Sequence, residues 1–423
     1  MIIFLIFVAA LLLGVPIVFA LLLGGFGAFL VNAYLPIQLL GPRLANAVNS
    51  YPLLAIPLFI MAAEILNKIR MTDAIFDFAN KVVGHIKGGL AHVNVLSSVI
   101  FAGMTGSAVA EASALGRVQI KAMTDAGFDR RFSAAITAAS STLGPIIPPS
   151  IPLVIYGVLA EVSIGRLLIG GLIPGLIIAL FLMAGCYVLA GRRKYPRSTW
   201  PGLLAIGRSF VTAFPALMAP VILIGGMLWG IFTPTEAAAA AVVYAFALGF
   251  LMRRLTLAEA WATFRQAATA SAGILFVVVA ASLVGLIVTR LRVTDALIAT
   301  ISTYTHSPII VLALINVLLL IAGCLLDATS CIVLFTPLLV PMAKTFGIDL
   351  VHFGMVVVLN LMIGLLTPPM GLSMFIVCDI AKITTPQFVK EALPFIAILI
   401  VGLLVITYVP QTVLWLPNLM FGR

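Results

Sequence analysis

The stretch of sequence that decides the fold is residues 140–150, which read Ser-Ser-Thr-Leu-Gly-Pro-Ile-Ile-Pro-Pro-Ser. It lies inside a long apolar segment, yet its prolines lack backbone donors and cannot continue a helix. Gly144 suits a left-handed helix C-cap, and Pro148 and Pro149 suit the first turn of a new helix. The stretch therefore predicts two half-helices joined by unwound backbone at membrane depth. Such backbone is tolerated in a bilayer only where protein or a watery cavity satisfies it, and in secondary transporters it marks an ion or substrate site.

A second copy of this stretch lies 220 positions further along the chain. The shared positions are glycines, prolines and other residues that set backbone geometry. They pair Pro148-Pro149 with Pro368-Pro369, Gly144 with Gly364, Pro174 with Pro394, and Ala102-Gly103 with Ala322-Gly323. With a shift of two further residues, Arg70 pairs with Arg292. We infer an internal duplication of roughly 170 residues.

The composition excludes a soluble protein. The chain has 423 residues, of which 63% are hydrophobic and 9% are charged, and its mean hydropathy is +1.24. Many segments reach the roughly 20 apolar residues that a membrane-spanning helix needs. The net charge is +10, and most Lys and Arg lie singly or in pairs at segment ends, which is typical of membrane anchoring and not of nucleic-acid binding. We predict an all-α polytopic membrane protein.

The duplication divides the chain into a first repeat at residues 1–205, a connecting transmembrane helix at 206–234 and a second repeat at 235–423. Each repeat contains a helical hairpin followed by a broken helix, and its other helices form a scaffold. The hairpins are predicted at 88–124 and 308–344, and the broken helices at 132–158 and 353–378. Two full crossings are the alternative to the hairpin at 88–124. We favour re-entrant hairpins because the tip at 103–107 is small, polar and uncharged, which suits a turn inside the membrane.

Outside these elements, we expect a long first helix over residues 2–33 and an interfacial helix over 36–50. An amphipathic piece at 255–266 precedes a crossing at 267–290, and a last crossing covers 391–415. The connecting helix inverts the second repeat relative to the first. Because basic residues are concentrated near the base of the first hairpin, we place that base and the N-terminus in the cytoplasm and the C-terminus in the periplasm.

Two hairpin tips and two unwound segments are therefore expected to meet near the membrane midplane. Half-helix N-termini attract anions, while half-helix C-termini and free carbonyls offer oxygen ligands to a small cation. Hydroxyl, amide or carboxylate oxygens come from Ser107, Ser140, Ser141 and Thr142 in one half and from Asp327, Thr329, Ser330 and Asn360 in the other. Asp327 is the strongest candidate for a site residue, because a carboxylate inside an apolar segment is energetically costly and usually functional. Its alternative role is a helix N-cap, and both roles can hold together.

Several motifs resemble one known family. They are the two Pro-Pro breaks, the hairpin sequence at 103–110 (Gly-Met-Thr-Gly-Ser-Ala-Val-Ala), the break at 141–152, and residues 230–239 (Gly-Ile-Phe-Thr-Pro-Thr-Glu-Ala-Ala-Ala). The chain resembles the large membrane subunit of tripartite ATP-independent periplasmic (TRAP) transporters over essentially its whole length. The resemblance implies sodium-coupled uptake of an organic acid anion across the bacterial inner membrane, with about two sodium ions transported. It also implies a periplasmic substrate-binding protein, a separate small four-helix membrane subunit, and an elevator-type motion of the hairpins and broken helices.

The same resemblance places residues in two kinds of site. Sodium ions lie where each hairpin tip meets its broken helix. The implied sodium ligands are Gly103, Thr105, Ser140, Ser141, Thr142 and Gly144 in the first repeat, and Gly323, Asp327, Asn360, Gly364 and Thr367 in the second. The organic anion, such as a C4-dicarboxylate or a sialate, lies between them. Its predicted ligands are Ser107, Ser150, Thr329, Ser330 and Ser373.

Two other classes of function compete with this interpretation. A stand-alone divalent-anion/sodium symporter has a similar architecture but needs no binding protein. A channel or an intramembrane enzyme is the second rival. The sequence shows no nucleophile elbow, phosphate-binding loop or paired-carboxylate arrangement, so we do not expect an enzyme.

Overall fold

The computed structural model describes residues 6, 9–10, 13–31, 38 and 40–422. The described residues form helices and no strand, and eight of the helices are long and apolar enough to cross a membrane. This confirms the all-α polytopic class. The first elements are α1 (Ile17–Val31), α2 (Leu40–Ala47), α3 (Ala55–Lys68) and α4 (Met71–Val83).

The first repeat continues with the predicted hairpin and broken helix. Hairpin 1 consists of α5 (Gly89–Thr105) and α6 (Ala108–Asp125). Broken helix 1 consists of α7 (Arg130–Ser141) and α8 (Ile151–Ala160), with unwound backbone between them. Helices α9 (Ile164–Gly170) and α10 (Leu172–Arg192) follow, and α11 (Leu203–Leu228) connects the two repeats.

The second repeat has the same succession of elements. Helices α12 (Pro234–Leu251), α13 (Leu257–Arg290) and α14 (Val293–Tyr304) precede hairpin 2, which consists of α15 (Pro308–Leu325) and α16 (Ala328–Thr345). Broken helix 2 consists of α17 (Leu350–Gly364) and α18 (Leu372–Ala381). Helices α19 (Thr385–Tyr408) and α20 (Gln411–Phe421) close the described chain.

Matching caps show that the duplication extends to local geometry. Asp129 and Asp349 are N-caps 220 positions apart, and each accepts a backbone N–H two residues on, at 2.7 and 2.8 Å. Ser107 and Asp327 are N-caps of the second hairpin arms at the same offset. The two hairpin–broken-helix units are therefore built alike although few of their side chains are identical.

The two units are also inverted relative to each other. The halves of each broken helix lie end to end, without packing side by side, while α18 packs along α6 and α8 packs along α16. Ala108 and Leu372, the first residues of α6 and α18, line one cavity. Eight residues further along both helices, a Cβ on Gly116 would lie 3.5 Å from Cδ1 of Ile380. Helix α6 runs toward the base of hairpin 1, and α18 runs away from the base of hairpin 2, so the two bases lie on opposite sides.

The break in the first repeat differs in detail from its prediction. Gly144 does not adopt left-handed backbone. Pro148 and Pro149 precede α8 instead of starting it, because Ser150 is the N-cap and Pro152 lies in the first turn. The Pro148–Pro149 and Pro368–Pro369 peptide bonds are both cis.

Other helix boundaries depart from expectation for local reasons. Residues 257–290 form one continuous helix because no Gly-Pro break separates the amphipathic and apolar parts, and Thr256 and Glu259 cap its start. The last crossing ends at Tyr408, and a new helix starts at Gln411 after Pro410. The expected first helix is interrupted at Gly14, where φ is +79°. Residues 1–5, 32–37 and other parts of that prediction lie outside the described residues.

The inverted arrangement can be tested by cross-linking exposed positions. Arg117 and Asp379 each lie one position from the Gly116–Ile380 contact, and both side chains are exposed. In a variant without the four native cysteines, Arg117→Cys and Asp379→Cys should be joined by a short thiol cross-linker. Cleavage at a protease site inserted near Ser198 would then leave one band on a denaturing gel. The control pair Arg117→Cys and Leu372→Cys, about 10 Å further apart along α18, should remain separable; equal cross-linking of both pairs contradicts parallel packing.

Candidate functional site

Each hairpin tip is hydrogen-bonded to the unwound segment of its own repeat. At the tip of hairpin 1, Gly106 has a φ of +64°, and its carbonyl accepts the Ile151 N–H at 3.3 Å. In hairpin 2, the Cys324 carbonyl accepts the Met370 N–H at 3.1 Å. The tips therefore satisfy backbone donors that the Pro-Pro breaks would otherwise leave without partners inside an apolar protein.

Glycines allow the tips to approach the breaks closely. A Cβ on Gly364 would lie 2.5 to 2.7 Å from the backbone of Gly323, which no real side chain tolerates. A Cβ on Gly144 would lie 2.7 Å from Oε2 of Glu111 and 3.2 Å from the carbonyl oxygen of Ser107. Close contact, and not a positive φ, is thus the reason for glycine at both breaks.

Buried asparagines tie the first arm of each hairpin to its broken helix. Asn94 Oδ1 accepts the Ser140 hydroxyl at 2.7 Å, and its Nδ2 donates to Thr137 at 2.7 Å. Asn316 Oδ1 accepts from Asn360 Nδ2 at 2.6 Å. Bonds of this kind contribute about 1 kcal/mol each. They hold each hairpin and its broken helix together inside the apolar protein.

A cavity of about 110 Å³ lies where both tips and both breaks meet. Residues of hairpins 1 and 2, of both broken helices and of the scaffold helix α13 line it. They are Gly106, Ser107, Ala108, Val109, Pro145, Ile151, Pro152, Ile274, Asp327, Ala328, Thr329, Met362, Leu365 and Leu372. The starts of α6, α8, α16 and α18 surround the cavity, so four helix N-termini direct partial positive charge toward it.

The predicted anion ligands fall into two groups. Ser107 and Thr329 line the cavity. Ser150 is fully buried and acts as an N-cap, since its hydroxyl accepts the Leu153 N–H at 3.2 Å and donates to the Pro145 carbonyl. Ser330 and Ser373 are also buried, and neither is among the cavity-lining residues.

Asp327 has the N-cap role that was weighed for it from sequence, while its role as a functional carboxylate stays a prediction. Its Oδ2 accepts the Ser330 N–H at 3.0 Å and its Oδ1 accepts the Ser330 hydroxyl, so it caps α16. It also lines the cavity. A carboxylate oxygen that accepts one hydrogen bond keeps a lone pair for a second partner, so capping leaves Asp327 able to bind a cation.

The predicted sodium ligands are gathered around the hairpin tips and the breaks, except for Gly103. The hydroxyls of Ser141 and Thr142 donate to the Ala138 and Ala139 carbonyls at 2.8 and 2.7 Å, at the end of α7. The Thr367 hydroxyl donates to the Gly364 carbonyl at 2.8 Å. Gly103 instead faces Pro220 of the connecting helix, at 2.7 Å from a would-be Cβ, and Thr105 bonds back to Phe101 in its own helix at 3.4 Å.

Several buried oxygen atoms near these junctions lack any hydrogen-bond partner among the described residues. They are both carboxylate oxygens of Glu111, Oδ1 of Asn360 and Oγ of Ser373. Unpaired buried oxygens are costly, and oxygen atoms are the ligands that hard cations prefer. No group of three or more His, Cys, Asp or Glu side chains forms a metal site within the described part of the chain.

Glu111 is the residue that the sequence interpretation missed. It lies in the first turn of α6, four positions after the capping Ser107, and is 1% exposed. The rule that singled out Asp327, an ionisable residue within an apolar segment, applies equally to Glu111.

Comparison with known families identifies the chain. The family model described as "Tripartite ATP-independent periplasmic transporter, DctM component" matches residues 4–412. The chain belongs to this family. This confirms the resemblance drawn from the Pro-Pro breaks and the hairpin motif.

Relatives of this DctM-family chain are named as permeases. It is 37% identical to the sialic acid TRAP transporter large permease protein SiaM of Vibrio cholerae, over 97% of this chain and 96% of that protein. It is 38% identical to the sialic acid TRAP transporter permease protein SiaT of Haemophilus influenzae, over 96% of this chain. It spans 66% of the length of SiaT.

A solved structure shares the fold of this DctM-family chain. The crystal structure of the YdaH transporter of Alcanivorax borkumensis superposes with a TM-score of 0.67 and covers 90% of both chains. The sequences are 13% identical, so the likeness concerns the fold alone.

Gly323 lies so close to Gly364 at the second break that an added methyl group should lower the stability there, but not at a glycine with open space around it. Gly364→Ala places a methyl group against the Gly323 backbone and should destabilise the protein by about 1–3 kcal/mol. Gly364→Leu and Gly144→Leu should abolish transport. Gly273→Ala is the control, because nothing lies within 4 Å of its would-be Cβ. Since Gly273 lies inside helix α13, alanine should leave the stability unchanged or raise it by up to about 1 kcal/mol. Thermal unfolding in detergent measures the stability of the two alanine variants. Equal changes in stability at Gly364 and Gly273 would contradict the close contact at the second break.

Proposed function

We propose that this chain is the large membrane subunit of a sodium-coupled TRAP transporter that takes up an organic acid anion. The observation that carries the proposal is the cavity between the two hairpin tips. Half of its lining comes from each inverted repeat, so small movements of the surrounding elements can expose it to either side of the membrane. A C4-dicarboxylate, a sialate or a related carboxylate is the proposed substrate, since helix N-termini and hydroxyl groups recognise carboxylates.

Sodium coupling is supported by unpaired buried oxygens close to the two breaks. Asn360 Oδ1 and the Glu111 carboxylate are buried next to the two breaks. Each elementary charge that moves inward through 100 mV supplies about 2.3 kcal/mol. Two sodium ions that accompany a monoanion would therefore drive uptake by voltage as well as by concentration.

The proposed assembly has three protein components. A periplasmic substrate-binding protein delivers the acid, and a small four-helix membrane subunit packs beside the scaffold in the bacterial inner membrane. We place the N-terminus in the cytoplasm and the C-terminus in the periplasm, because the basic residues near the base of hairpin 1 favour the cytoplasmic side. The hairpins and broken helices move as one unit against the scaffold, in an elevator-type cycle.

The first test concerns the partners. The chain is reconstituted in liposomes with its small membrane subunit, and uptake of labelled acid is measured in a sodium gradient with and without the binding protein. We expect uptake only when both sodium and the binding protein are present. Saturable, sodium-dependent uptake without the binding protein would instead identify a stand-alone divalent-anion/sodium symporter, and a non-saturating current would identify a channel.

The second test separates the cap of Asp327 from its charge. Asparagine is as good an N-cap as aspartate, so Asp327→Asn should preserve the thermal stability while removing the negative charge. We expect the sodium concentration for half-maximal uptake to rise about tenfold, or ~1.4 kcal/mol. Asp327→Ala should additionally lower stability by about 1 kcal/mol. An unchanged sodium requirement in Asp327→Asn would restrict this residue to capping.

A further inference from the structure

A second polar cavity, of about 650 Å³, lies at the corner where α3 ends and α4 begins. It shares no lining residue with the cavity between the hairpin tips. Its charged lining residues are the basic Lys68, Arg70 and Arg254 and the acidic Asp73. Three positive charges against one negative charge leave the lining with a net charge of +2. The remaining lining residues are Ile69, Met71, Ala74, Thr212 and Met252.

The basic side chains of this cavity keep capacity for an anion. Lys68 forms an ion pair with Glu259 of α13, at 3.7 Å. Arg254 Nη1 donates to the Ile69 carbonyl at 3.0 Å, which leaves the other guanidinium donors open. Arg70 takes part in none of the three ion pairs among the described residues. Helix α4 begins at Arg70 without a side-chain cap, so its first N–H groups add donors to the same corner. Two guanidinium groups that line one cavity suit a phosphate group.

The cavity lies at the surface of the membrane. Helices α3 and α12 are both long and apolar enough to cross a membrane, and they end at Lys68 and Leu251. Leu251 and Leu257, three positions before and after Arg254, are 82% and 80% exposed. Trp261 is exposed on the first turns of α13 and stacks on Phe264, with the ring centroids 5.5 Å apart. Tryptophan marks the membrane–water interface, so this corner combines a basic cavity with apolar surface that acyl chains can cover.

We propose that this cavity binds the phosphate headgroup of an anionic phospholipid, with Arg70 and Arg254 as its main ligands. Its volume is in the range that holds a whole small-molecule ligand, and not only a bare phosphate ion. The proposed topology places this corner at the cytoplasmic surface, where anionic lipids give the membrane a negative charge. The bound headgroup joins the ends of the scaffold helices α3 and α12 to the start of α4, which leads into hairpin 1. The site is independent of sodium coupling and of the identity of the organic acid.

The test is thermal unfolding of the full chain in nanodiscs of phosphatidylcholine, in which phosphatidylglycerol replaces an increasing share of the lipid at constant ionic strength. Phosphatidylglycerol should raise the melting temperature of the wild type by mass action. The double variant Arg70→Gln, Arg254→Gln should lose at least half of this rise, because both main ligands lose their charge. Since Arg254→Gln also loses the hydrogen bond to Ile69, the quantity compared is the lipid-induced rise, and not the melting temperature in phosphatidylcholine alone.

The matched control is the double variant Arg290→Gln, Arg292→Gln. Arg292 precedes α14 in left-handed backbone, with a φ of +50°, as Arg70 precedes α4 with a φ of +60°. Glu259, which pairs with Lys68, and Arg290 lie near opposite ends of α13, about 45 Å apart along the helix. The control therefore removes the same two charges from the opposite membrane surface, and it should keep the full lipid-induced rise.

Three outcomes overturn the inference. The first is a wild type that phosphatidylglycerol does not stabilise, or an Arg70→Gln, Arg254→Gln variant that keeps the full rise. The second is an equal rise with sn-glycerol 3-phosphate in phosphatidylcholine nanodiscs, which would assign the cavity to a soluble phosphate ester. The third is loss of the wild-type response once the small membrane subunit is bound, which would assign the cavity to a protein segment. If the double variant does not fold, Arg70→Gln alone replaces it, and an undiminished rise again overturns the site.

Discussion

The structure depends on the satisfaction of unwound backbone inside an apolar protein. A break in a membrane helix exposes N–H and C=O groups that lipid cannot bind. Here each break is closed by the tip of a hairpin, through the Ile151 to Gly106 bond in one repeat and the Met370 to Cys324 bond in the other. Each hairpin tip and its break therefore satisfy backbone groups of one another.

Because the second repeat is inverted relative to the first, the two junctions of hairpin tip and break meet at one candidate transport site. The two hairpins enter from opposite sides, and their tips and the two breaks converge on one cavity. The scaffold contributes Ile274 from α13 to the same lining. A site that two oppositely oriented units share can change its access without dismantling either unit.

Most of the fold could be predicted because backbone-setting residues carry it. Prolines and glycines repeated at one offset revealed the duplication, the hairpins and the breaks. Distances between elements could not be predicted: Gly103 and Gly323 are equivalent in sequence, yet one faces Pro220 and the other Gly364. Gly144 was assigned to a left-handed cap although steric contact with Glu111 and Ser107 is its reason. Glu111 satisfies the same sequence rule as Asp327, but the lack of hydrogen-bond partners of its carboxylate is a property of packing, which the sequence of one helix does not contain.

The most direct measurement is an experimental structure of the chain with its partners in sodium and a bound organic acid. The account predicts anion density between Ser107 and Thr329 at the meeting point of the hairpin tips. It also predicts cation density on the hairpin side of Gly144 and Gly364. Continuous helix through residues 142–150 or 365–371, or a bound acid remote from both tips, would contradict it.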